Sequence, residues 1–176
     1  MLTPPPPPAE NLERWRSLCA EMLAQPSRFS NAVHLATHAR DALLACGMQR
    51  VLLLTYDKAT DALRVQQTAG LPKEAAALNL AVKQNKLLQR LTSQAGQLRL
   101  TPDNHAQFAA LLPAPINALF PSEHLLLRSL AVNGQVIMLL LADQAGRPLA
   151  DVSVQALGKT AQCIERALAT FATRSS

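Results

Sequence analysis

Residues 125–132 and 135–142 are two almost wholly apolar runs that meet at Asn133-Gly134. Asn-Gly supplies the two positive-φ positions of a type I′ turn, whose twist matches that of paired strands, so the spacing predicts a β-hairpin. Its strands are apolar at successive positions, and successive side chains point to opposite faces. Both faces must therefore be covered, which places the hairpin centrally in a sheet. A second pair lies upstream. Arg50-Val-Leu-Leu-Leu-Thr-Tyr56 is a short run of strand formers, residues 57–61 form a turn, and residues 62–68 alternate as a half-buried strand should.

Around these strands the period changes to that of helices. Over residues 9–25, Leu12, Trp15, Cys19 and Met22 recur at steps of three and four, with Glu10, Glu13, Arg14, Arg16 and Glu21 on the other faces. Pro26 stops this helix, and Ser27 or Ser30 caps a second one that runs to about Cys46 on Phe29, Val33, Ala36, Leu43 and Leu44. Residues 75–91 are mostly helical in propensity, 96–100 form a short strand, and 102–112 read as a helix. Pro113, Pro115 and Pro121 make the next stretch irregular. A closing helix over 150–173 is built on Val154, Leu157, Ala161, Ile164, Leu168 and Phe171. Two hairpins with terminal helices predict an α+β domain, an antiparallel sheet with helices packed on it.

Composition narrows the function. The chain of 176 residues suits one domain with a self-sufficient core. Four Phe, one Trp and one Tyr are too few for base- or sugar-stacking platforms. Charged residues are 16%, against about 25% in ordinary soluble proteins; the chain either hides much of itself or offers an apolar face to a partner. A net charge of +5 without any long Lys/Arg tract speaks against nucleic-acid binding. Cys19, Cys46 and Cys163 are widely spaced and odd in number, which reads as buried reduced thiols in the cytoplasm. No apolar stretch approaches the ~18 residues of a membrane span, and the N-terminus lacks the pattern of a signal peptide. Residues 4–8 are five prolines, a stiff spacer. The expected organisation is a proline-rich linker to an upstream domain over 1–8, a linker or dimerisation helix over 9–26, the folded domain over 27–173 and a tail over 174–176.

At residues 27–171 the sequence resembles a GAF domain, a sensor module of signalling proteins. The carriers are Cys46-Gly-Met-Gln-Arg-Val-Leu-Leu-Leu-Thr-Tyr-Asp57 with the return strand ending in Ala69-Gly70-Leu71. The second carrier is Ser129-Leu-Ala-Val-Asn-Gly-Gln-Val-Ile-Met-Leu-Leu-Leu141 with the terminal helix that follows. The resemblance implies an antiparallel sheet of five or six strands with the terminal helices on one face and a small-molecule pocket on the other. It also implies a bacterial signalling protein, with an HDOD-type or kinase-type domain upstream. Cyclic-nucleotide-binding members carry Asn-Lys, a later Phe, and two acids just beyond it. This chain has Asn85-Lys86 and Phe108 but Leu112-Pro113 in place of the acids, so no cyclic nucleotide is expected. Bilin-binding members use a Cys in the ligand segment, and no Cys lies there, so no bilin is expected either. Many members have Gly where this chain has Met138, a bulkier side chain expected to narrow the pocket.

His34 and His38 have a zinc-chelating spacing, but with no third ligand nearby they read as two surface or interface histidines; His105 and His124 are isolated. Without a nucleophile elbow, a phosphate loop or paired carboxylates, no catalytic residue and no enzyme activity are expected. Lys83, Lys86 and Arg90 recur at steps of three and four. With Arg99 they make residues 75–102 a stretch of four cations and no acid, an anion-attracting wall of the pocket or a plain solvated face. The seam of Leu12, Trp15, Cys19 and Met22 can pack on its own sheet or against a second copy; because GAF domains commonly dimerise through their first and last helices, the expectation is a homodimer interface joined by Leu168 and Phe171. The reading is a non-enzymatic sensory or regulatory module that binds a small ligand or partner and dimerises. The alternatives are a dimerisation scaffold whose pocket is filled, and nucleic-acid binding through residues 83–99.

Overall fold

The computed structural model describes residues 9–24 and 32–174. The expected spacer over 1–8, the stop at Pro26, the caps at Ser27 or Ser30, Phe29 and the final residues lie outside it, as do the side chains of Val33 and Phe171. Helices α1 (Ala9–Ala24) and α2 (Ala32–Ala45) lead into strands β1 (Arg50–Asp57) and β2 (Ala62–Ala69). A 3-10 turn (Lys73–Ala77), β3 (Asn79–Ala81), α3 (Lys86–Ser93), β4 (Gln97–Leu100), α4 (His105–Ala109) and α5 (Ala114–Leu119) follow. The chain closes with β5 (Leu125–Val132), β6 (Gln135–Asp143) and α6 (Asp151–Arg174). Six antiparallel strands form one sheet in the order β3-β2-β1-β6-β5-β4. The fold class is the expected α+β, and the hairpin turn has φ +55° at Asn133 and +78° at Gly134.

Strand alternation accounts for the doubly apolar hairpin. Leu126, Leu130, Met138 and Leu140 join Val51 and Leu53 beneath α1, α2 and α6. Leu125, Leu127, Leu139 and Leu141 join Leu52 and Leu54 on the other face, under the segment that runs from β3 to α5. Both faces are dry because each has its own helical cover.

The segment between β2 and β5 departs from expectation. Residues 75–91 are not one helix: Leu80 and Val82 are buried while Asn79, Ala81 and Lys83 are exposed. This period of two lets β3 pair with β2 through Leu63↔Leu80, and tertiary burial overrides the helical propensity of the alanines. Asn85, itself extended, caps α3 by accepting the Leu88 N–H at 2.9 Å, so the helix starts only at Lys86. The helix expected over 102–112 contracts to α4. The proline-rich stretch expected to be irregular contains α5, because Pro113 and Pro115 occupy its N-cap and first turn, where a missing N–H costs nothing.

Two glycines give opposite predictions. Gly70 follows β2 with φ +69°, and a Cβ there would lie 2.1 Å from the Gln49 carbonyl oxygen. Gly70→Ala should lower stability by about 3 kcal/mol, read from the urea midpoint. Gly158, inside α6, has room for a Cβ, the nearest atom being Arg128 Nη1 at 3.7 Å. Gly158→Ala should raise stability by about 0.5–1 kcal/mol.

Candidate functional site

A cleft of about 300 Å³ opens where α3 passes the sheet edge at β4. Leu87 and Leu91 of α3, Leu98 of β4 and Phe108 of α4 form its apolar walls, and Arg90, Gln94 and Gln97 its polar ones. Its walls are stitched together by short-range bonds. The Ser129 hydroxyl donates to the Leu91 carbonyl and fixes α3 to β5. Asn85 Nδ2 donates to the Leu111 carbonyl at 2.6 Å, tying the start of α3 to the end of the α4 segment. Asn104 donates to the Arg99 carbonyl and accepts from the Thr101 N–H, which folds the turn between β4 and α4.

The four cations do not act as one face. Lys83 lies before α3 and is exposed; its carbonyl accepts from Gln89 Nε2 at 2.7 Å. Lys86 and Arg90 are one turn apart on α3 and do share a side of it. Arg99 turns away, donating to the Leu149 carbonyl at 2.8 Å and to Asp151 at 3.2 Å. Of the four, Arg90 alone lines the cleft.

The broad face of the sheet beside the cleft is filled by the protein itself. Leu80, Val82, Leu88, Ile116 and Phe120 of the covering segment are buried against Leu52, Leu54, Leu139 and Leu141. Met138 has no part in this: strand alternation directs it to the opposite face, contrary to expectation. There it lines a smaller apolar cavity of about 160 Å³ with Leu35, Ala39, Leu53, Ile137 and Ile164.

The helical seam is also placed differently from the expectation. Met22 is fully buried and Cys19 nearly so in the core under α2 and α6. Trp15 Nε1 donates to Thr160 Oγ1 of α6 at 2.7 Å, Leu18 and Leu168 pack on the same core, and Leu12 is half-buried. The seam closes on its own chain, since apolar spacing says only that a face is covered. His38 Nε2 lies 3.2 Å from both the Leu18 carbonyl and a Glu21 carboxylate oxygen, linking α2 to α1. His34 is exposed. Among the described residues no three His, Cys, Asp or Glu side chains are placed to hold a metal ion. No helix of the described residues is long and apolar enough to cross a membrane.

No protein-family model matches the chain, and no curated protein matches it in sequence. Solved structures do match along most of its length. The GAF domain of a phosphoenolpyruvate-protein phosphotransferase from Coxiella burnetii superimposes with a TM-score of 0.68 at 13% identity, covering 94% of this chain and 97% of that one. The chain has the GAF fold. A methyl-accepting chemotaxis protein, residues 122 to 287, gives 0.67 at 17% identity over 85% of this chain and 95% of that one. Free methionine-R-sulfoxide reductase from Neisseria meningitidis, in complex with its substrate, gives 0.64 at 16% identity over 98% of both chains. This GAF fold therefore serves both signalling proteins and an enzyme among its structural neighbours, and at these identities the likeness is one of architecture. Of the cleft, sequence reading had singled out Arg90 for its charge and Phe108 for its place in a motif. Gln94, Gln97 and Leu98 carried no signal, because a sheet edge and a helix flank meet there only in three dimensions.

Proposed function

We propose that the chain is a non-enzymatic GAF-type sensory or regulatory module that binds a small organic anion in the cleft between α3 and β4. The observation that carries this reading is Arg90 on the wall of a cleft with apolar sides and amide ends. A guanidinium offers planar paired donors to a carboxylate or phosphate, and the apolar walls suit a short carbon skeleton. The volume of about 300 Å³ is at the lower end for small-molecule sites and fits a compact metabolite. Lys86, one turn away, adds to the positive potential.

A native mass spectrum of the purified protein tests the proposal. The expected result is a small acidic adduct that leaves on denaturation and is missing from Arg90→Glu. A thermal-shift series with small mono- and dicarboxylates and phosphate esters should show stabilisation of wild type and at least a tenfold weaker effect in Arg90→Glu. Bare mass and no shift with any of these acids would refute ligand binding and favour the scaffold reading. That second reading has an observation of its own in the leucine-filled face of the sheet.

The proposal includes a homodimer in a bacterial signalling protein, downstream of another domain. Leu23 of α1 and Leu44 of α2 are exposed apolar side chains available to a second copy. A monomer mass at micromolar concentration would remove the dimer.

A further inference from the structure

Two irregularities of the sheet converge on the apolar cavity of about 160 Å³ beneath α2 and α6. Along β1 and β2, Leu53 pairs with Gln67 and Leu54 with Val65, so Gln66 is an extra residue, a β-bulge. Along β5 and β6, Leu130 pairs with Met138 and Ala131 with Val136, which leaves Ile137 extra in the same way. Regular alternation would send each extra side chain to the face opposite its neighbour's. Instead Gln66 lines the cavity while Gln67 bonds to Thr37 and Arg40 of α2, and Ile137 lines it beside Met138. The strands on either side of β1 thus each turn one additional side chain towards the same hollow. Bulges that re-aim a side chain in this way gather beside functional sites.

We propose that this cavity binds a neutral single-ring aromatic compound that carries one hydroxyl or carbonyl oxygen. The size sets the ring, since an apolar cavity of ~150 Å³ accommodates one benzene molecule. Met138 supplies a thioether, a favoured neighbour for an aromatic edge. The cavity has a polar end. The Thr55 hydroxyl donates to Gln66 Oε1 at 3.1 Å, which fixes the amide and leaves its N–H groups to donate to an oxygen of the ligand. Thr55 and Gln66 are half-exposed, whereas Leu35, Ala39, Leu53 and Ile164 are buried, so the polar pair stands at the mouth. The ring then lies inward and its oxygen outward. Among the described residues that line the cavity none is charged, so a carboxylate entering it would lose its water without a counter-charge. The site lies across the sheet from the cleft between α3 and β4 and is separate from the anion site proposed there. Its occupant would touch α2, α6 and the sheet together.

The test uses the whole chain, with phenol as the probe and benzene and benzoate as comparisons. A ligand of so few atoms should bind phenol-like with a Kd on the order of 0.1–1 mM. At roughly ten times that Kd the Tm should rise by about 3–5 °C. Benzene, which lacks the oxygen, should bind about fivefold more weakly, and benzoate should leave the Tm unchanged. In methyl-resolved NMR the ring should shift the Met138 methyl most among the methionines, together with those of Ile137 and Ile164. Ala39→Leu fills the cavity from α2 and should weaken phenol at least tenfold. Gln66→Leu, at the half-exposed mouth, should keep benzene binding and lose the preference for phenol, which carries the test if Ala39→Leu does not fold. No Tm rise of the wild type with either phenol or benzene, up to their solubility, would overturn the proposal. So would benzoate binding as well as phenol, or methyl shifts centred on Leu87 and Leu98 of the cleft instead of Met138.

Discussion

Met22→Glu is expected to unfold the chain, and Leu23→Glu, one residue on, is expected to leave it folded. Met22 is fully buried in the core beneath α2 and α6, whereas Leu23 is 43% exposed. A carboxylate at residue 22 would have to shed its water among the Leu, Ala and Cys side chains of that core. The penalty should exceed about 4 kcal/mol, a large part of the roughly 5–15 kcal/mol that holds a domain together. The measurement is a urea titration followed by far-UV circular dichroism, with native mass on the same samples. The expected trace for Met22→Glu lacks a cooperative transition or has its midpoint shifted far down; Leu23→Glu should keep a cooperative transition, its loss limited to what the proposed dimer contributes. A folded, monomeric Met22→Glu derived from a dimeric wild type would show instead that the seam of α1 joins two copies.

That contrast shows what the sequence could and could not reveal. The steps of three and four through Leu12, Trp15, Cys19 and Met22 located a covered face correctly. They carried no information on whether the cover was another copy or another helix of the same chain. Patterns that report local geometry were legible: the Asn133-Gly134 turn, the paired strands on either side of it, and the long final helix. The stretch from residue 75 to 121 was not. There the alternation of Leu78, Leu80 and Val82 competed with alanine-rich helical propensity, and pairing with β2 decided between them. Pro113 and Pro115 were read as breakers but start α5, since a proline's meaning depends on its position within the helix. The resemblance to GAF domains implies a pocket position for Met138, and the parity of β6 puts it on the other face. The cleft itself is made by residues from α3, β4 and α4 whose meeting no spacing announces.

Asp143→Ala is expected to have the second large effect, through a contact equally invisible in sequence. Asp143 is wholly buried at the end of β6, and 93 residues separate it from its partner Arg50 at the start of β1. The pair is bidentate, Nε to Oδ1 at 2.8 Å and Nη2 to Oδ2 at 2.6 Å, and the carboxylate also accepts the Ala145 N–H at 3.1 Å. The Asp143 carbonyl takes the Gln49 N–H at 2.9 Å, so one residue closes the β1–β6 junction through both its backbone and its side chain. Removing the carboxylate strands a guanidinium whose side chain is only 19% exposed. A loss of about 3–5 kcal/mol should follow, read from the urea midpoint. High salt should change the wild-type value little, because a buried pair is poorly screened. The double variant Arg50→Met with Asp143→Leu removes both charges and should recover most of the loss, since the cost lies in the orphaned charge more than in the missing attraction. Just beyond, Gln144 donates to the Gly47 carbonyl at 3.0 Å and accepts the Ala150 N–H at 2.8 Å, holding the loop that launches α6. Asp143→Ala should therefore also speed proteolysis within residues 144–150 before the rest of the chain is cut. A stability change below about 1 kcal/mol, with that loop as resistant as in wild type, would mean the backbone ladder alone fixes β1 against β6.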